Sequence, residues 1–144
     1  MTTQHAETDL AIRTLSRESC LELLAAEAVG RVGFVGREGV EILPVAYRLG
    51  QGPRIFVSTR TWGVVGQLAE CGGACTFEVD HHGATSRDGW SVLMHGTLGR
   101  LDRAGQVAYA ALDRSLEAWP GYRDARPVQF LPRSFSGRSV MRPS

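Results

Sequence analysis

Gly30-Arg31-Val32-Gly33-Phe34-Val35-Gly36-Arg37-Glu38-Gly39-Val40-Glu41-Ile42-Leu43-Pro44-Val45-Ala46-Tyr47-Arg48 is the stretch whose reading decides the fold. Arg31 to Val35 alternates with the period of two expected of a half-buried strand. Gly36 to Gly39 reads as a turn, and Val40 to Arg48 as a second strand, so the segment is a β-hairpin. Pro44 has no amide to donate, which places it at an edge or a bulge.

Outward from the hairpin, the period changes on both sides. Toward the N-terminus, Cys20, Leu21, Leu24 and Ala28 recur at helical spacing. Ser16 is the expected N-cap, Glu18 favours the positive end of the helix dipole, and Gly30 is expected to end the helix. Met1 to Arg13 has no apolar period and reads as a loose leader (residues 1–13). Toward the C-terminus, Leu49 to Pro53 is a turn and Arg54 to Ser58 a third strand. Thr61 to Cys71 is expected to be a short helix, with Val64, Val65 and Leu68 on one face and Gly72-Gly73 closing it. Ala74 to Asp80 is a strand and His81 to Asp88 a polar loop. Gly89 to Leu101 is a long strand, in which Gly96 and Gly99 mark a bulge or bend. Ala104 to Trp119 reads as a helix stopped by Pro120-Gly121. Val128 to Leu131 is a short last strand, followed by Pro132 and a polar tail. Strands outnumber helices and short turns join them. The fold class is therefore mainly β (α+β): a closed or partly closed antiparallel barrel with peripheral helices, forming one domain over residues 14–144.

Composition excludes several function classes. The 144 residues suit one domain with its own core. A net charge of +1, with basic and acidic residues interspersed, gives no basic face for nucleic acid. No apolar run approaches the roughly 18 residues of a membrane span, and the N-terminus has no apolar signal region, so a cytoplasmic location is expected. Cys20, Cys71 and Cys75 are an odd set, expected to be reduced thiols. Cys71-Gly72-Gly73-Ala74-Cys75 is not a Cys-x-x-Cys redox pair. Ser91 lacks a nucleophile elbow, and no Rossmann or Walker loop is present. Asp80-His81-His82, with Asp88 and His95 further on, invites a metal reading. Adjacent histidines at a strand end point to opposite sides and converge poorly on one ion, so a solvent loop without metal is expected. No acid, base or nucleophile stands out.

Leu15-Ser16-Arg17-Glu18, Gly30-Arg31-Val32-Gly33-Phe34, Leu43-Pro44-Val45-Ala46-Tyr47, Phe77-Glu78-Val79-Asp80, Gly89-Trp90-Ser91-Val92, then Pro132 and Ser136-Gly137-Arg138 follow one another in a telling order. In order and spacing the chain resembles the pyridoxamine 5′-phosphate oxidase-like family from about Leu15 to Val140. That resemblance implies a six-stranded antiparallel split β-barrel, a homodimer, and flavin mononucleotide (FMN) in a cleft at the subunit interface. Some relatives hold deazaflavin F420 or haem instead. The implied activity is flavin-dependent oxidoreduction of a small-molecule substrate. No set of side chains reads as a pyridoxal phosphate pocket, so a vitamin B6 substrate is not supported.

The resemblance also implies where the cofactor lies. Its phosphate is held where the third strand runs into the short helix, often by a Ser-Lys or Arg-Lys pair. Here the segment from Arg54 to Gln67 contains Ser58-Thr59-Arg60-Thr61-Trp62-Gly63-Val64. Ser58, Thr59 and Thr61 supply hydroxyls, Arg60 a charged fork, and Gly63 room for close approach. Val64 stands where a lysine is expected, which leaves Arg60 as its replacement. The same residues also read as a helix-capping turn. For the ring, Pro44-Val45-Ala46-Tyr47 supplies one wall, with Ala46 where relatives often carry asparagine. Tyr47 reads either as a stacking partner or as a half-buried strand aromatic. Trp62 either caps the cofactor or fills its place. Trp90 and Ser91 come from the neighbouring part of the cleft, or else pack in the core or a dimer interface. Two functions remain open: a flavin oxidoreductase, and a non-enzymatic barrel that binds another ligand or has lost its cofactor.

Overall fold

The computed structural model describes residues 11–60, 63–83, 88–112 and 125–141. Its elements are β1 (Ala11–Leu15), α1 (Arg17–Ala26), β2 (Val29–Gly36), β3 (Gly39–Gly50), β4 (Arg54–Arg60), α2 (Val64–Glu70), β5 (Ala74–His82), β6 (Gly89–Gly99), α3 (Arg103–Ala110) and β7 (Ala125–Met141). The sheet runs β1-β7-β4-β3-β2-β5-β6, and β6 also pairs with β7. All pairings are antiparallel, so β7, β4, β3, β2, β5 and β6 form a closed ring of six strands, the split barrel that the sequence led us to expect. β1 lies outside the ring, paired to the far end of β7 from Leu15↔Gly137 to Ala11↔Met141.

The hairpin forms as its alternation dictates. Val35 opposes Val40 and Gly36 opposes Gly39, whose φ of 117° only glycine adopts without strain. Val32, Phe34, Val45 and Tyr47 face inward and are buried. They meet Phe77 and Val79 of β5, Val92 and Met94 of β6, and Phe130 of β7. Edge-on contacts join Tyr47 to Phe77 at 5.4 Å, and Phe77 lies 5.5 Å from Phe130. α1 packs on β3 and β7 through Cys20 and Leu24. α2 buries Val65 and Ala69 against β4, β6 and β7. Among the described residues no helix is long and apolar enough to cross a membrane.

Several boundaries differ from the sequence reading. Ser16 does cap α1, accepting from the Ser19 amide, but the helix ends at Ala26 and Gly30 lies inside β2. Glycine is there because a β-carbon would strike the Phe77 ring, not to close a helix. Ala11 to Arg13, assigned to the leader, belong to β1. His81 and His82 continue β5 rather than opening the loop. β6 stops at Gly99, and its register shifts between His95 and Gly96, where a bulge was expected. α3 ends at Ala110, and the remainder of the expected helix, from residue 113, lies outside the described residues. The largest difference is β7, which runs through Pro132 to Met141 instead of ending at Leu131.

Candidate functional site

Among the described residues, β3 and β4 part to form a seam in the barrel. β3 and β4 pair from Gly50↔Arg54 to Tyr47↔Val57. Beyond that pair the two strands follow other partners. β3 stays with β2, with Pro44 opposite Arg31 and Ala46 opposite Val29. β4 stays with β7, with Ser58 opposite Pro127, Thr59 opposite Arg126 and Arg60 opposite Ala125. Pro44 to Ala46 and Ser58 to Arg60 are thus the two lips of a split in the sheet. α2 begins just after the second lip.

The expected cofactor residues divide between the seam and the core. Pro44 is exposed and Ala46 half-buried on the outer face, whereas Val45 and Tyr47 point inward. Tyr47 is 1% exposed, and its hydroxyl donates to the Leu24 carbonyl at 2.6 Å. Burial first, then the charge of Glu27, pushes its pKa well above the usual phenol range. Ser58 and Thr59 are both buried in β4. Thr61 and Trp62 lie outside the described residues. Gly63 is the N-cap of α2 and, as glycine, makes no side-chain capping bond. Val64 is 50% exposed on that first turn, and Gln67 is exposed one turn on.

Trp90 and Ser91 lie elsewhere. Ser91 opposes Arg138, while Thr59 opposes Arg126. Along β7, Arg126 and Arg138 are separated by on the order of 40 Å of strand at about 3.3 Å per residue, so Ser91 is remote from the β4 lip by that path. By the shorter way round the ring, through β5 and β2, Ser91 lies level with Ala46 of the seam but three strands away, roughly 14 Å at about 4.8 Å per strand. Trp90 instead stacks on His81 at 6.5 Å and borders a groove of about 490 Å³ with Leu15, Ser19, Leu23 and Val140. His81 Nδ1 meets Glu27 at 3.1 Å and His82 Nε2 meets Asp80 at 3.3 Å, so the two rings take different carboxylates. Among the described residues, no three His, Cys, Asp or Glu side chains gather as a metal site.

The sequence reading passed over a second feature, on the outer face of β2, β3, β5 and β6. A groove of about 530 Å³ runs there between Ile42, Val40 and Val35 on one side and Leu93 and His95 on the other. Arg31 Nη1 contacts Glu78 at 3.3 Å and Asp80 at 2.9 Å. Burial and the neighbouring Asp80 raise the pKa of Glu78, against the pull of Arg31. Its Oε1 is buried without a hydrogen-bond partner among the described residues. Charges at alternate, outward positions of β2 and β5 were the available signal.

All three described cysteines are free thiols. Cys20 and Cys75 are buried and Cys71 exposed. Burial pushes Cys75 up to about 11 and raises Cys20 as well, which keeps both as unreactive thiols.

The family model of pyridoxamine 5′-phosphate oxidase matches residues 16–139. The chain belongs to that family. Among solved structures, this member of the pyridoxamine 5′-phosphate oxidase family is similar to an FAD-binding protein of Mycobacterium smegmatis. Identity is 24% over 88% of this chain and 98% of the other, with a TM-score of 0.73. It is similar to an FAD-binding protein of Mesorhizobium loti at 20% identity, over 91% and 98% of the two chains, with a TM-score of 0.68. A protein of Mycobacterium smegmatis described as binding FAD and heme matches at 13% identity, over 92% and 76%, with a TM-score of 0.67. At these identities the likeness shows the fold. Among curated proteins no sequence matches the chain.

Proposed function

We propose that this family member binds a flavin, FMN in the first instance, along the seam between β3 and β4, and acts as a flavin-dependent oxidoreductase on a small molecule in the cytoplasm. The observation that carries the reading is the parting of β3 and β4 after Tyr47↔Val57, just before α2 begins at its glycine N-cap. The donor set suits the cofactor's two ends. Arg60 ends β4 and bears a guanidinium that matches phosphate geometry. The side chain of Val64 adds no charge there, so phosphate binding rests on Arg60 and the hydroxyl residues of the same lip. Pro44 and Ala46 present a small, flat wall on which a ring can lie. Val45 and Tyr47 act from behind by fixing β3 to the core.

A bound flavin supplies reversible transfer of a hydride or of single electrons, and the protein supplies binding, orientation and shelter from water. The family relation and the FAD-binding descriptions of similar folds support this reading. Within one chain Ser91 lies three strands across the sheet from Ala46, too far for direct contact, and we assign Trp90 and Ser91 to the cleft from a second copy of the chain. A homodimer with two interface clefts follows. The absorbance spectrum of the purified protein, followed by titration with FMN, FAD and riboflavin, tests the assignment. A yellow protein with flavin bands, or saturable FMN binding, is the expected result. A colourless protein that binds none of the three overturns it. Because Val64 is exposed and apolar where the family is expected to carry a cation, deazaflavin F420 and haem form the second arm of the same titration. Binding of either in place of flavin favours a non-enzymatic or differently loaded barrel.

A further inference from the structure

The groove beside Trp90 lies between α1 and one end of the sheet, and strand register fixes its floor. Arg13, Ser139, Trp90 and His81 form a single cross-strand row from β1 through β7 and β6 to β5. α1 runs along the same row. Its Cys20 lies over Gly137 of β7, and its C-cap residue Glu27 reaches His81 at 3.1 Å. Leu15, Leu23, Trp90 and Val140 give the groove apolar walls. The His81 ring stacks on the indole at 6.5 Å and 22°, so Trp90 is braced from α1 through Glu27 and His81.

The charges around these walls have one prevailing sign. Glu22, exposed on α1, and Asp88, just before β6, both border the groove. Among the described residues no arginine lines it. Arg13 stands at the β1 end of the row, and Arg138 precedes Ser139 and so points to the opposite face of β7. A volume of about 490 Å³ suits a small molecule. Carboxylates make charge-assisted hydrogen bonds to an ammonium group, and an indole face attracts a cation.

We propose that this groove binds an organic cation with an apolar body, an arylalkyl amine being the simplest form, and that this is the substrate class of the flavin site. The substrate role rests on the proposed flavin cleft, to which Trp90 comes from a second copy of the chain. The binding itself needs only the groove of one chain. The ammonium group lies toward Glu22 and Asp88, and the apolar body lies along Trp90 and Leu23. Arg13 repels the charged end from the β1 side and so sets the direction in which the ligand lies. A neutral analogue keeps the apolar contacts and loses the charge pairing. An anion meets Glu22 and Asp88 and is repelled.

Benzylamine, benzyl alcohol and benzoate present one ring with three different charges. Each is titrated into the purified chain and followed by ligand-observed nuclear magnetic resonance. Benzylamine is expected to bind about 10-fold or more tightly than benzyl alcohol, with benzoate the weakest. Glu22→Gln combined with Asp88→Asn is expected to weaken benzylamine about 10-fold and to leave benzyl alcohol unchanged, which also shows that the groove is still folded. Trp90→Leu is expected to weaken benzylamine about 3-fold or more beyond its effect on benzyl alcohol. Glu22→Lys, at an exposed helix position, gives a second route: weaker benzylamine and stronger benzoate. The preference for benzylamine should shrink as salt rises. Benzoate bound as tightly as benzylamine, or an amine preference that survives both Glu22→Gln with Asp88→Asn and Glu22→Lys, overturns the proposal. Flavin absorbance keeps the two readings apart. Selective benzylamine binding by a protein that takes up no flavin leaves the groove standing and removes the cofactor assignment. A flavin-loaded protein that treats the three compounds alike keeps the cofactor and removes the groove.

Discussion

The Tyr47 hydroxyl donates a 2.6 Å hydrogen bond to the main-chain carbonyl of Leu24, tying β3 to α1 inside the core. Tyr47 also meets Phe77 edge-on, so one ring joins α1, β3 and β5. Tyr47→Phe keeps the ring contact and removes the hydroxyl. The expected loss is about 1–2 kcal/mol, read as a lower urea midpoint with an unchanged slope.

The same ring contributes to a loss of stability at alkaline pH. An unfolded tyrosine ionises near pH 10, and the folded Tyr47 holds its proton to higher pH because of burial and Glu27. Above about pH 10 the unfolded chain therefore binds fewer protons than the folded one, and stability falls as pH rises. Below that pH the contribution is constant. The chain contains no lysine, which leaves tyrosine and cysteine as the side chains that titrate in this window. Buried Cys20 and Cys75 act with the same sign, so the slope that disappears in Tyr47→Phe is the share of Tyr47. Urea midpoints at about pH 8 and pH 11 measure it, and equal slopes in both proteins would refute the assignment.

A second, partly buried tie joins β4, β7 and the start of α3. Arg54 Nη1 donates to Gln129 Oε1 at 3.0 Å and to Asp102 Oδ1 at 2.9 Å. Asp102 accepts from the Gly105 amide at 2.6 Å and so caps α3. Arg54→Met removes the donor that satisfies Gln129, which is almost wholly buried. The expected cost is about 1–3 kcal/mol by chemical denaturation. Gln129→Leu, which replaces that acceptor by an apolar group, is expected to cost less than Arg54→Met.

How much of this was legible in the sequence depended on what each strand does with its two faces. β2, β3 and β5 alternate apolar with polar residues because one face is core, and they stand out at once. β7 does not. It carries Arg133, Ser134, Ser136 and Arg138 on exposed positions, and its inward glycine at 137 lies under Cys20 and Leu15 without adding hydrophobicity. Pro132 seemed to end it, yet Pro132 sits opposite Gly96 at the register shift, where the ladder is already interrupted. The seam was legible only as a turn between strand and helix. That β3 and β4 exchange partners there depends on β7, which the pattern hid. Val45 and Tyr47 were placed at the ring because their motif belongs there, but strand parity sends them inward and leaves Pro44 and Ala46 outside.

The register shift itself offers a sharp pair of substitutions. A β-carbon at Gly96 would collide with the main-chain carbonyl of Leu131, and the β6–β7 ladder cannot move aside without losing its pairing. At Gly99 a β-carbon meets nothing within 4 Å. Gly96→Ala is expected to cost about 1–3 kcal/mol, and Gly99→Ala to stay within about 0.5 kcal/mol of wild type. Thermal midpoints of the two proteins decide it: equal shifts would mean that the close approach of β6 to β7 is not a constraint.

The proposed phosphate end of the seam can be separated from the ring end by comparing FMN with riboflavin, which lacks the phosphate. Arg60 is the one guanidinium-bearing residue in the run from Ser58 to Val64, and Val64 is exposed where a cation is expected. A hydrogen bond to a charged group contributes about 1.5–3 kcal/mol, or roughly 10–100-fold in affinity. Arg60→Ala is therefore expected to weaken FMN binding by that factor while leaving riboflavin binding nearly unchanged. Val64→Lys, at a half-exposed helix position, is expected to tighten FMN by about 10-fold or more, with no gain for riboflavin and little change in stability. The gain should shrink as salt rises, because an exposed charge pair is screened. Flavin fluorescence titrations of the three proteins at low and high ionic strength supply the comparison. If Arg60→Ala weakens FMN and riboflavin equally, Arg60 acts on the fold or the ring and the phosphate lies elsewhere. If Val64→Lys leaves the FMN-to-riboflavin ratio unchanged, the first turn of α2 does not border the phosphate.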